Sequence, residues 1–315
     1  MNIATIAREH YLPTIEKRRC KDTANSYRSS LELHVLPYFG DRELQDLEYD
    51  EIQDWVEEIA PECGPGGAEK AFKCLRQLFN WAVKKFKLRL WNPCTDIELP
   101  KKPNYKPEVL TPRRLKKLVR GFVGHVHEAT VIISSALGLR PGENYFLSWT
   151  DINWRTGLVP IRGTLRYFDG QFWEFDPKTP KSERDCFLPQ WALDRLHQIW
   201  VSLGRPKGRI IGDKKPYQVT YSIQAHIKRF KLPRITMKNL RHTWGTMAAS
   251  SGAAIQDVAA MMGHSDIQTT YRYYYTLTKA TMRRVQRKVA RWIIGKSCDD
   301  MYKGIIVVPD LAAAA

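Results

Sequence analysis

Three short stretches of this chain concentrate the residue types that can handle a phosphodiester: Gly138-Leu139-Arg140-Pro141-Gly142-Glu143, Lys238-Asn239-Leu240-Arg241-His242, and Gly263-His264-Ser265 followed by Tyr271, Tyr273, Tyr274 and Tyr275. Breaking a phosphodiester at neutral pH without a metal requires a nucleophile, neutralisation of the phosphate charge and a proton for the leaving oxygen. Arginine suits the neutralising role, because its planar fork grips two phosphate oxygens and stays charged. A tyrosine could be the nucleophile, but most of the tyrosines in such a cluster must serve packing or surface, so at most one fills that role. The sequence has no metal-binding carboxylate cluster and no glycine-rich nucleotide loop, so neither metal nor other cofactor is expected.

These residues need helix ends and faces to position them. Gly138 breaks a preceding helix and Pro141 suits a first turn, so Arg140 is expected at a helix start, or else as a surface cap. Lys238 and Arg241 are three apart on an expected helix and share a face; His242 lies nearby and could instead be a packing residue. Ser265 with Gln268 makes a Ser-x-x-Gln capping box, which sets His264 just before a helix and Tyr273 about two turns into it.

The first hundred residues read as helical. Apolar positions recur at helical spacing through Ile3, Ile6, Ala7, Tyr11 and Leu12, then Tyr27, Leu31, Val35 and Leu36. Ile52, Trp55, Val56 and Ile59 predict a third helix, closed by Pro61 and the Gly64-Pro65-Gly66-Gly67 turn. Ala68, Phe72, Leu75, Leu78, Phe79, Ala82 and Phe86 form the clearest stripe. Lys70, Lys73, Arg76 and Lys84 lie off that stripe, and are read as a face laid against DNA phosphate rather than a merely solvated one. The favouring fact is the balance of 50 Lys and Arg against 33 Asp and Glu, a net charge of +17, which suits a polyanion partner.

Prolines and lysines between 91 and 110 predict an extended basic linker. After the Thr111-Pro112 helix start, the pattern is mostly helical to about 295. It is interrupted by Leu158–Ile161, Gln171–Phe175 and Arg184–Leu188, which read as a small antiparallel β-sheet. The fold class is therefore mainly α, with domains at 1–90 and 111–295, a linker at 91–110 and a tail at 296–315. Six scattered cysteines without a Cys-x-x-Cys pair are expected to be reduced. No signal peptide or membrane-length apolar run is visible, so a cytoplasmic protein is expected.

The ordered set of motifs resembles the tyrosine recombinase (phage-type integrase) family. Gly138-Leu139-Arg140-Pro141-Gly142-Glu143 resembles its first arginine box, Leu240-Arg241-His242-Thr243 the second, and Met262-Gly263-His264-Ser265 the Leu-Gly-His box. The family's tyrosine follows that histidine by nine residues, which selects Tyr273. Lys178 matches the family's hairpin lysine, with Lys181 as the alternative. Lys238 departs from the pattern, since it stands where the family usually has histidine, and the related type IB topoisomerases carry lysine there.

The resemblance covers residues 1–295. It implies a helical core-binding domain and an α-rich catalytic domain, without an arm-binding domain. It also implies site-specific recombination through a 3′-phosphotyrosine, with Arg140, Lys178, Lys238, Arg241, His264 and Tyr273 as the catalytic set. The implied partners are double-stranded DNA at core-type sites, three further protomers in a synaptic homotetramer and an accessory excision factor, acting on a mobile element. Lys181, Lys228 and Arg234 join the four basic residues above as expected DNA contacts. Two other functions are weighed: topoisomerase IB-like relaxation, which shares Lys238, and a catalytically weakened DNA-binding relative. The Leu-Ala-Ala ending resembles a bacterial tag read by ATP-dependent proteases.

Overall fold

Residues 1–103, 107–177 and 182–274, with the isolated helical positions 286 and 289, are described by the computed structural model. The chain divides into two units, residues 1–105 and 106–315.

In the first unit the apolar stripes fold as helices. Helix α1 runs over residues 3–18 and α2 over residues 21–39. Asn2 starts α1 by accepting from the Thr5 N–H at 2.9 Å, one of the donors a helix start leaves without an internal partner. Helix α3, Tyr49–Phe86, continues past Pro61 and breaks only at Gly64, where φ is 75°. The break divides the two expected stripes, and both close on one core of Ile52, Trp55, Leu75, Leu78 and Phe79 packed with Ile3, Leu31 and Val35. The start of the expected linker is not extended. Cys94 is buried in this core, and Glu98 exchanges backbone hydrogen bonds with the Gln53 side chain at 2.9 and 3.3 Å. Apolar burial outweighs the extended bias of the flanking prolines there.

The second unit contains α4 (Pro112–Gly121), α5 (Glu128–Leu137), α6 (Pro141–Phe146), β1 (Leu158–Ile161), β2 (Thr164–Phe168), β3 (Gln171–Phe175), β4 (Arg184–Phe187), α7 (Gln190–Ser202), α8 (Pro216–Arg229), α9 (Met237–Ser251), α10 (Ile255–Met262) and α11 (Ile267–Tyr274). It is mainly helical, as expected. The β region differs: in place of one three-stranded sheet there are two antiparallel pairs, β1 with β4 (Val159 opposite Cys186) and β2 with β3 (Arg166 opposite Trp173).

The strand missed from sequence is β2. Its signal is the Asp169-Gly170 pair, whose positive φ of 50° and 75° makes a two-residue hairpin turn with the twist that antiparallel strands favour. Helix α11 starts one residue later than its expected cap. Asp266, not Ser265, accepts from the Gln268 N–H at 2.9 Å, because a carboxylate satisfies the same orphan donor.

The cores of this unit gather around Ile132, Ile133, Leu139 and Val159, and around Leu118, Phe122, Ile223 and Leu240. Among the described residues no helix is long and apolar enough to cross a membrane.

Candidate active site

Gly138 ends α5 in a left-handed conformation (φ 61°), and a Cβ there would meet the Trp244 ring at 2.7 Å, so both the turn and the packing require glycine. The turn delivers Arg140 to the N-cap of α6, with Pro141 behind it. Glu143 closes the cap by accepting from the Arg140 N–H at 2.9 Å.

Glu143 is the hub of the site. It is 4% exposed and receives the Arg140 guanidinium at 2.7 Å and Arg184 at 2.8 and 3.3 Å, with Arg241 at 3.8 Å. Burial works to raise its pKa, but Arg184, then Arg140 and Arg241, outweigh burial and hold the carboxylate below its usual range.

The same three arginines also grip the end of α10. Arg184 Nε donates to the Met261 carbonyl at 2.8 Å, Arg241 to Met262 at 2.6 Å, and Arg140 to Gly263 at 2.8 Å. These are three successive carbonyls at a helix C-terminus, where orphan acceptors and the helix dipole both favour cations. Arg241 also donates to the Gly138 carbonyl at 3.1 Å, which ties the first arginine turn to the third motif. The turn bearing His264 is thus fixed by the arginines beside it.

His264 is half-buried, with Nδ1 at 2.6 Å from the Thr270 hydroxyl. Burial first, then Arg241, Arg140, Arg184 and His242, push its pKa down to about 4, so the ring is neutral at pH 7. His242 is buried; burial, Lys238 and Arg241 lower it to about 4 as well, consistent with its packing alternative.

The structure therefore brings together Arg140, Arg241 and His264. Lys238 is exposed at the start of α9, close enough to bear on His242. Tyr273 belongs to the backbone of α11, and its side chain lies outside the described residues, as do Lys178, Lys181 and the 296–315 tail. Lys70, Lys73, Arg76 and Lys84 are exposed on α3, where Lys73 pairs with Glu69 at 2.5 Å and Arg76 lies over the Phe72 ring. Lys228 and Arg234 are exposed in the last turn of α8 and in the segment leading to α9. Among the described residues no three His, Cys, Asp or Glu side chains are grouped to hold a metal ion.

The sequence motifs give Glu143 no role of its own and do not include Arg184. The available signal for Arg184 was its place on the inward face of β4, two residues from buried Cys186, since a charge at a buried strand position needs a partner.

Two family models match the chain: the phage integrase family over residues 123–281, and the phage integrase N-terminal SAM-like domain over residues 7–60. A putative integrase/recombinase, y4eF, of Sinorhizobium fredii is 27% identical over 216 residues, covering 66% of this chain and 78% of that protein. Among solved structures, the Tn1549 transposon integrase in complex with transposon right-end DNA aligns at a TM-score of 0.75 with 17% identity, over 92% of this chain and all of that one. A lambda integrase tetramer bound to a Holliday junction aligns at 0.68 with 15% identity, over 87% of this chain and 78% of that one.

Proposed function

The chain belongs to the phage integrase family and is a site-specific tyrosine recombinase; from that premise we propose how its residues divide the work. The Tyr273 hydroxyl attacks the scissile phosphate, the bond to the 5′-oxygen breaks, and a 3′-phosphotyrosine and a free 5′-hydroxyl result. Arg140 and Arg241 stabilise the charge on the non-bridging oxygens, with His264 and Lys238 as further donors, and Lys178 protonates the leaving oxygen. A 5′-hydroxyl from a second duplex then attacks the phosphotyrosine. The exchange conserves bond energy and needs neither ATP nor metal.

The observation that carries this reading is the convergence of Arg140, Arg241 and His264, from three separate sequence motifs, on one turn beside a buried carboxylate. The Arg140 side chain is 40% exposed, so its guanidinium is at once anchored and open to a ligand.

The substrate is double-stranded DNA at core-type sites, bound with help from Lys70, Lys73, Arg76, Lys84, Lys181, Lys228 and Arg234. Residues 1–90 form the core-binding domain, 91–110 the linker and 111–295 the catalytic domain. Four protomers synapse two duplexes, a reading supported by the likeness to the lambda integrase tetramer. Integration and excision of a mobile element is supported by the likeness to a transposon integrase; in this reading an accessory excision factor biases the direction and the reaction takes place in the cytoplasm.

The test is to incubate the protein, without metal or ATP, with a pool of random duplexes nicked so that cleavage releases a short fragment, and to sequence SDS-stable adducts. Adducts that vanish in Tyr273→Phe, on a consensus with inverted repeats, are expected. Tight DNA binding with no adduct would mean either that Lys238 marks a disabled centre or that cleavage waits for a synaptic partner.

A further inference from the structure

Thr270 is fully buried, and its hydroxyl oxygen lies 2.6 Å from His264 Nδ1. Among the described residues, four other helical hydroxyls donate back to the carbonyl four residues earlier: Thr14 to His10, Ser30 to Ser26, Thr220 to Pro216 and Thr243 to Asn239. Thr270 departs from that habit. Among the described residues its hydroxyl meets the imidazole and no other acceptor.

A buried hydroxyl whose proton has no acceptor forfeits a hydrogen bond, at a cost of about 1–3 kcal/mol. Donation of the Thr270 O–H to Nδ1 avoids that loss. A neutral imidazole carries one proton, so when Nδ1 accepts, the proton resides on Nε2. The ring is held neutral by burial and by the guanidiniums of Arg241, Arg140 and Arg184 that face it, with His242 adding to the effect.

We propose that Thr270 is a positioning residue for the recombination centre: its hydroxyl donates to His264 Nδ1, fixes the plane of the ring and places the imidazole proton on Nε2 as the donor to the scissile phosphate. The opposite tautomer would aim a lone pair at an anion and repel it. Because Thr270 belongs to α11, the helix that carries Tyr273, the donor is clamped by the element that supplies the attacking residue. The part of the proposal that concerns phosphate rests on the reading of His264 given above; the tautomer does not.

Nitrogen-15 NMR of histidine-labelled protein, with His264 assigned by comparison with His264→Gln, reads the tautomer without turnover. Wild type and Thr270→Ser are expected to carry the proton on Nε2, and the near-isosteric Thr270→Val to show a mixture of tautomers. In the adduct assay, Thr270→Val is expected to slow cleavage on the order of tenfold to a hundredfold with DNA binding unchanged, since small misplacements of a catalytic group cost that much. Thr270→Ser should cleave near the wild-type rate.

A proton on Nδ1 in the wild type would overturn the proposal. So would Thr270→Val retaining both the Nε2 proton and the rate, or Thr270→Ser proving as slow as Thr270→Val. If the wild type forms no adduct, that outcome bears on the reading of the centre given above and not on Thr270, and the NMR result still decides the tautomer.

Discussion

The arginines around Glu143 and the basic face of α3 carry the same charge in opposite surroundings. Arg184 and Arg241 have side chains only 7% and 6% exposed, each bonded to backbone carbonyls and facing one carboxylate, whereas the Lys73 side chain is 50% exposed and its neighbours Lys70, Arg76 and Lys84 are exposed as well. In a low-dielectric interior a charge must be matched by partners, and the matching makes geometry rigid. In water the same charge is screened and loosely placed, which suits a surface that slides along phosphates. In the function proposed above, the first region orders the reaction and the second supplies attraction to DNA.

The largest effect should come from removing the hub. Glu143→Ala leaves three guanidiniums without their shared counter-charge and should cost about 3–5 kcal/mol of stability in urea unfolding. An unchanged midpoint would erase the distinction between the two regions.

Next is Arg184→Lys, which keeps the charge but loses the fork that spans both Glu143 oxygens and the Met261 carbonyl. We expect a loss of about 1–3 kcal/mol, together with slower cleavage as the His264 turn loosens.

Acid should act on the second unit in a graded way, spread over several pH units. His264, His242 and His127 (the last buried at the N-cap of α5, outside the arginine cluster) are all pushed down to about 4 in the folded protein, so below about pH 6.5 the unfolded chain binds protons that the native state does not. Stability is then complete above pH 6.5 and falls as the pH is lowered toward 4, where Glu143, itself depressed, extends the loss further down. A melting temperature that stays constant from pH 7.5 to 5 would contradict this.

The smallest change in stability belongs to α3. Lys70→Ala and Lys84→Ala should stay within about 0.5 kcal/mol of wild type. Each should nonetheless reduce the slope of log affinity for DNA against log salt by about 0.9. Lys73→Ala should change it less, because Glu69 already offsets its charge.

Much of this is legible in the amino-acid sequence alone. The helical stripes came from local periodicity, and the break at Gly64 and the cap at Arg140 from single residues with restricted or unusual backbone preferences. Asp169-Gly170 is an equally local signal for β2, though the run of residues ahead of it is short. The packing of Cys94 and Glu98 against α3 was hidden, since proline content speaks for local extension and says nothing about a distant surface that can be buried.

By itself, the sequence determined which residue types were present, their order and the helices that carry them, because helix periodicity, caps and turns act over a few residues. Only the tertiary structure decided that Arg184 joins the site, 41 residues from Glu143 and 77 from Met261, and that Arg140 and Gly263, 123 apart, share a hydrogen bond. Such contacts are set by how the helices and strands pack, and a partner for a buried charge is chosen by proximity in space, which spacing along the chain does not encode.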